Sequence, residues 1–411
     1  MRILYNIFVL LYIFAAHIAA LGSPKAKLWI KGRRGLLHKI HSQMRADERR
    51  IWFHCASLGE FEQGRPLIER IKQRHPEYKI VLTFFSPSGY EIRKNYEYAD
   101  YIYYLPYDRP MHVKLFLKAV KPEMIFFIKY DFWFNYIHQA YKMGIPFYSV
   151  SCIFRPGQIY FRLIGRWMLK QLRQITRFYV QDSVSMQLLQ EHNIPQTEIA
   201  GDTRFDRVSD IIRKAQKHPD IEHFCNHQFT LICGSTWIPD EVLIAKLFHK
   251  HPDIKLIIAP HEIDEQRIFD LERVFIKYKV LRYTQMESTL HLNEYNVLII
   301  DTIGMLSSLY YYGNIAYIGG GFGKGIHNIL EAATYGKPVL FGPNYHKFKE
   351  AVDLIKLQGA CSINKFQDLE QQFLLWKNDA SAFMQASEIT AQYVRQHTQA
   401  AELIYNSVFK N

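Results

Sequence analysis

Two rhythms of apolar and polar positions alternate along this chain. Short runs rich in Ile, Val, Phe and Tyr recur at 51–56, 80–85, 101–105, 124–128, 147–152 and 178–181. They return at 229–233, 254–259, 297–300, 315–318 and 338–341. Many are apolar at every position, as parallel strands covered on both faces by helices are. Stretches with helical spacing lie between them, for example 61–74, 187–192, 240–249 and 329–335. This alternation predicts an α/β protein with two doubly wound, Rossmann-like sheets. A polar, proline-bearing stretch at 214–226 reads as the link between them. No solenoid repeat or low-complexity tract interrupts the pattern.

The amino terminus has a third pattern. Residues 3–21 read ILYNIFVLLYIFAAHIAAL and carry no fixed charge. As a helix rising about 1.5 Å per residue, that run just matches a hydrocarbon core about 30 Å thick. Arg2 precedes it, and Lys25, Lys27, Lys31, Arg33 and Arg34 follow. The positive-inside rule then expects a single anchor with the body in the cytoplasm. A cleaved signal peptide is the alternative, and an uncleaved anchor either spans the bilayer or lies deep in its interface. The length of the run and the basic cluster behind it favour an uncleaved anchor. The expected plan is an anchor helix over 1–22, a first domain over 35–213 and a second over 227–411.

Charge sharpens the division. Residues 1–205 hold 30 Lys+Arg and 16 Asp+Glu, a net of +14, whereas residues 206–411 hold 21 and 23, a net of −2. A basic half suits nucleic acid, an anionic lipid or a phosphorylated substrate. The five cysteines are scattered, with no C-x-x-C pair, so neither a zinc site nor a disulfide framework is expected. Aromatic residues make up 15% of the chain and read mostly as core.

Four segments at the ends of predicted strands carry candidate chemistry. In HCASLGE, Ser57 and Gly59 allow a tight turn and Glu60 opens a helix. That carboxylate suits either helix capping or a general base. In CGSTWIPDE, Ser235 and Thr236 suit a helix cap or a phosphate contact. Residues 317–343 hold five glycines between Gly319 and Gly325, followed by His327, Asn328 and Glu331. Gly320 and Gly321 would admit phosphate, and Glu331 would hold ribose hydroxyls. No Gly-Lys-Ser/Thr is present, so this is not a P-loop. In GDTRFD, Arg204 offers a cation. A phosphate-directed turn in the second half and a turn-mounted acid in the first suggest the GT-B plan, two Rossmann-like domains facing a cleft.

At these residues the sequence resembles the bacterial 3-deoxy-D-manno-octulosonic acid (Kdo) transferases of lipopolysaccharide synthesis. The resemblance is carried by Gly32-Arg33 behind the anchor, HCASLGEFEQGRPLI, LTFFSPSGYE, Arg155, GDTRFD and GIHNILEAATYGKPVLFGPNYHKFKEA, in the family's order. It implies an inverting glycosyltransferase that moves Kdo from CMP-β-Kdo to the 6′-hydroxyl of the lipid A precursor, lipid IV-A, without a metal. Glu60 would be the base. Arg204, where the family has lysine, would stabilise the transition state. Asn328, Ile329, Leu330 and Glu331, the turn Gly304, Met305 and Leu306, and Pro260 with His261 would bind the CMP-sugar, with Ser235, Thr236, Gly320, Gly321 and His327 beside them. Ser57, Gly59 and Arg155 fall on the acceptor side.

Two segments depart from the family. KYDFWFN puts Lys129 where the first of two acids is expected, which leaves Asp131 as the candidate second acid. PHEIDEQR puts His261 where an arginine is expected. The alternatives are another GT-B enzyme, such as a lipid-A-disaccharide synthase or a UDP-sugar 2-epimerase, and a basic binding module. No nucleic-acid motif supports the last, so no nucleic-acid partner is expected.

Overall fold

The computed structural model describes residues 1–214, 217–289 and 291–410. The chain divides into two compact units. One is Met1–Arg207 together with Thr398–Asn411, and the other is Val208–His397. Each is built on a seven-stranded parallel sheet.

The first sheet contains β1 (Arg49–Cys55), β2 (Tyr78–Phe84), β3 (Tyr101–Tyr104), β4 (Met124–Ile128), β5 (Phe147–Cys152), β6 (Arg177–Val180) and β7 (Thr197–Ile199), in the order β3-β2-β1-β4-β5-β6-β7. Both faces are covered. On β1, Trp52 packs into one core with Phe127 and Tyr136, and Phe53 packs into the other with Phe126, Leu67 and Ile68. This two-sided burial produces the continuous apolar runs in the sequence.

The second sheet contains β8 (Thr230–Thr236), β9 (Lys255–Pro260), β10 (Val280–Arg282), β11 (Val297–Ile299), β12 (Ile315–Ile318), β13 (Val339–Phe341) and β14 (Ala360–Ser362), in the order β10-β11-β9-β8-β12-β13-β14. The order reverses between β1 and β4 in the first sheet and between β8 and β12 in the second. In such sheets a ligand crevice forms beyond the carboxyl ends of the two strands that flank the reversal.

The structure differs from the sequence reading in three places. Strands β7, β10 and β14 have no counterpart among the predicted runs. Each is three residues long and sits at a sheet edge, where the apolar signal is short. The expected link at 214–226 is partly ordered structure, because helix Pro219–Cys225 buries Ile221, Phe224 and Cys225 within the second unit. Residues 215 and 216 lie outside the described residues. The chain end leaves the expected 227–411 block. Helix Ala400–Phe409 packs on helix Leu58–Arg74 of the first unit through buried Ile404 and Tyr405, and Arg74 grips Glu402 with two bonds of 3.0 Å.

The apolar amino terminus forms helix Arg2–Ala19, long and apolar enough to cross a membrane, with mean hydropathy 1.7. One face is docked on the first unit. Tyr5 stacks edge-on to Phe134 and donates to Asp108, Asn6 accepts from the Asn135 amide at 2.9 Å, and Val9 is buried. The opposite face, with Leu4, Phe8, Leu11 and Phe14, is exposed. Behind it, Arg33 is buried among aromatic rings, 4.1 Å above Trp29, and donates to the carbonyls of Leu105, Trp29 and Phe85. Burial pulls its pKa down to about 10. A side chain at Gly32 would run into the ring of Tyr104 at 2.2 Å. The Gly-Arg pair is therefore a packing device.

Candidate active site

In the first unit, β1 ends at Cys55 and the chain turns through Ser57 into helix Leu58–Arg74, with Glu60 in its first turn. The Ser57 hydroxyl donates to one oxygen of Glu60, and the Lys129 ammonium lies 3.6 Å from the other. Lys129 follows β4 and is held at φ +62°. Its N–H donates to Val150 at 2.8 Å and its carbonyl accepts from Ser149 at 3.1 Å. A left-handed lysine is uncommon and persists only where its surroundings fix it. Here that conformation turns the ammonium toward Glu60. Because β1 and β4 flank the reversal of strand order, the pair sits where an open sheet binds its ligand.

Asp131 is engaged elsewhere. It hydrogen-bonds His54 Nε2 at 2.9 Å and accepts the Trp133 indole N–H at 3.0 Å, while buried His54 bonds Thr83 through Nδ1 at 2.9 Å. The geometry therefore puts Lys129 beside Glu60, and Asp131 beside His54 and Trp133.

Arg204 reaches the same helix through an intermediary. Its guanidinium grips Asp202 at 2.7 Å and 2.8 Å, and Asp202 also accepts from Gln63, three residues beyond Glu60, at 3.0 Å. Burial alone would raise Asp202, but the Arg204 charge and the hydrogen bonds hold its carboxyl below the ordinary range. Gly59 is exposed, and a side chain there would meet only Ser57, at 3.8 Å. The backbone beside Glu60 is thus open to solvent at Gly59. Arg155 is exposed, with its backbone N–H donating to Gln158 at 3.2 Å.

In the second unit, β8 ends in a bulge with Ser235 at φ +53°. The buried Thr236 hydroxyl donates inward to Glu241 at 2.8 Å, so it is turned from the phosphate contact expected of it. Pro260 pairs with Thr236 in the sheet, and the His261 N–H donates to the Thr236 carbonyl at 3.0 Å. The glycine run follows β12. A side chain on Gly319 would strike the Ser235 carbonyl at 2.2 Å, and Gly320 has φ +89°. Part of the run therefore exists so that two backbones can touch. A side chain on Gly321 would come within 2.6 Å of the Gly342 backbone.

Asn328 accepts the Leu330 N–H at 3.2 Å and donates to Glu331 at 3.1 Å. Ile329 and Leu330 are buried. The helix expected over 329–335 is the short Leu330–Ala333, too short to bring much of a helix dipole to an anion. Gly304 is left-handed at φ +99° and leads through Met305 into helix Leu306–Leu309. Next comes Tyr310, buried against Gly234. Burial first, and the charge of Glu331 next, push its hydroxyl well above the ordinary value. Tyr310 thereby packs against the end of β8.

Sequence reasoning missed Tyr310 and Trp237. The Trp237 ring stacks on His261 at 4.7 Å and His261 stacks on His327 at 4.5 Å. Trp237 also donates to His327 Nε2 at 3.3 Å. Only its place beside Thr236 signalled a role. Among the described residues no three His, Cys, Asp or Glu side chains form a metal-holding group.

A family model described as 3-deoxy-D-manno-octulosonic-acid transferase (kdotransferase) matches residues 30–207. The 3-deoxy-D-manno-octulosonic acid transferase of Haemophilus influenzae is 26% identical over 336 residues, covering 77% of this chain and 76% of that protein. The one of Aquifex aeolicus is 27% identical over 316 residues, covering 75% and 80%. Among solved structures, a UDP-GlcNAc 2-epimerase from Neisseria meningitidis has TM-score 0.62 at 16% identity, over 88% of this chain and 100% of that one. Acinetobacter baumannii MurG has TM-score 0.54 at 12% identity, over 89% and 100%. These structures share the fold alone. Two parallel α/β sheets with paired crevices and these relatives define a glycosyltransferase of the GT-B fold. Within that class, the chain is similar in sequence to the bacterial 3-deoxy-D-manno-octulosonic acid transferases.

Proposed function

We propose that the chain transfers Kdo from CMP-β-Kdo to the 6′-hydroxyl of lipid IV-A in lipopolysaccharide synthesis. The observation that carries this reading is Glu60, held between Ser57 and Lys129 in an open crevice of a chain related to Kdo transferases. Glu60 takes the proton from the acceptor hydroxyl as its oxygen bonds to the anomeric carbon. The bond from that carbon to the phosphate oxygen breaks, its electron pair leaves with CMP, and the configuration inverts. Lys129 and Ser57 fix the base in position. Arg204, stiffened by Asp202, supplies positive charge to the transition state. Asn328, Glu331 and the Gly304–Leu306 turn serve the nucleotide. The scheme uses no metal.

The docked amino-terminal helix supports a body held against the inner membrane, with the exposed face of Leu4, Phe8, Leu11 and Phe14 inserted in the plane of the leaflet. The basic residues behind it match an anionic surface. The test is mass spectrometry of the lipid product after incubation with CMP-Kdo and lipid IV-A, with and without EDTA. A Kdo-lipid at equal rate in both is expected. Turnover of UDP-sugars with no Kdo-lipid formed would replace this reading with another GT-B activity.

A further inference from the structure

His54 lies on β1, fully buried, with its ring 4.7 Å from that of Phe127 and Trp52 two residues before it. Such an aromatic core would take a phenylalanine at less cost, since a buried imidazole loses water at both nitrogens. Here both nitrogens are bonded. A carboxylate only accepts, so Nε2 carries the proton and donates to Asp131 at 2.9 Å. Nδ1 of the neutral ring then accepts from the Thr83 hydroxyl at 2.9 Å, and Thr83 accepts the Trp52 indole N–H at 2.8 Å. This run of bonds is complete in the core, and it ends at the loop that carries Lys129.

That loop is held from two sides. Its backbone at Lys129 bonds β5 through Val150 and Ser149. Its Asp131 side chain bonds β1 through His54. Two pairs therefore join the chain around the end of β1 to the chain leaving β4: His54 with Asp131, and Glu60 with Lys129. Asp131 stands two residues from Lys129, near enough along the chain to compete for its ammonium. The ion pair that Lys129 makes is nevertheless with Glu60. Asp131 Oδ2 takes the N–H groups of both His54 and Trp133.

Resting on the reading of Glu60 as the base, we propose that His54 is a positioning residue for it. His54 does not touch the reacting atoms. By holding Asp131, it fixes the loop that presents Lys129 and keeps a second carboxylate from drawing the ammonium off Glu60.

Two substitutions separate the bond from the packing. His54→Phe keeps a ring against Phe127 and loses the bond. His54→Gln loses the ring and can still place an amide N–H where Nε2 lies. Both are assayed for transfer from CMP-Kdo to lipid IV-A by the full chain, alone and combined with Lys129→Met. His54→Phe should lower kcat about tenfold with both KM values within about twofold of the parent, and His54→Gln should recover most of that loss. Added to Lys129→Met, His54→Phe should cost less than about a further twofold, because the group it positions is already gone. Near-parent kcat in His54→Phe, a His54→Gln no faster than His54→Phe, or losses that multiply with Lys129→Met would each overturn the proposal. His54→Leu takes the place of the phenylalanine variant if that one does not fold. A parent that forms no Kdo-lipid ends the Kdo-transfer reading alone, and the same cycle is then run on the sugar-nucleotide turnover found in its place.

Discussion

Glu60 has two neighbours that set its behaviour, a hydroxyl and an ammonium. Under the proposed mechanism, removing the carboxylate removes the base. Glu60→Ala should lower transfer by at least about 100-fold, as loss of a general base does, with CMP-Kdo binding unchanged. Lys129→Met should slow transfer by a smaller factor and also leave donor binding alone. Single-turnover kinetics beside equilibrium binding checks both. Near-normal turnover by Glu60→Ala would take that residue out of the mechanism. Glu60 was legible in the sequence because its signal is local, an acid just past a strand inside a tight turn. The role of Lys129 was not. It read as a charge reversal where the family has an acid. Its pairing with Glu60 depends on β1 and β4 lying side by side, which no local pattern reports.

The central strands were legible as elements, because burial on both faces leaves uninterrupted apolar runs, and the edge strands β7, β10 and β14 were not. Helix Phe134–Lys142 shows what lies beyond pattern reading. No side chain of its own cap closes its amino end; instead Asp108, distant in sequence, accepts from the N–H groups of Asn135 and Tyr136 at 3.2 Å each. Burial raises the Asp108 carboxyl to about 6, although the hydrogen bonds from Tyr5, Asn135 and Tyr136 pull the other way. A carboxyl raised on folding binds its proton more tightly in the native state. Its contribution to stability is therefore full below about pH 4 and is lost as the pH rises through about 6. Asp108→Asn cannot ionise. Between about pH 4 and 7 the variant should gain on the parent by up to about 3 kcal/mol, read from urea midpoints in detergent. A difference that stays constant with pH would show that Asp108 does not titrate in that window.

At the scale of the molecule, the two-sheet plan followed from the alternation of runs, and the charge split follows the division into units. The destination of the last helix was not legible. An amphipathic helix such as Ala400–Phe409 fits the surface of any parallel sheet, and the pairings of Glu402 with Arg74 and Arg70, of Tyr405 with His75 and of Ser407 with Arg177 and Tyr179 tie it to the first unit. Deleting residues 398–411 should destabilise the first unit by about 2–5 kcal/mol, the usual cost of stripping large buried side chains. The second unit should keep its stability. Hydrogen exchange resolved along the chain would show both, and equal loss in the two units would contradict the assignment.

The return of the last helix also bears on synthesis. Proteins fold largely in the order they emerge from the ribosome. The second unit is one uninterrupted stretch, Val208–His397, and has all of its residues once His397 is made. The first unit begins earlier but needs the final helix to cover Leu58–Arg74. The half that carries Glu60 is thus completed after the second unit, because the helix that covers it follows His397.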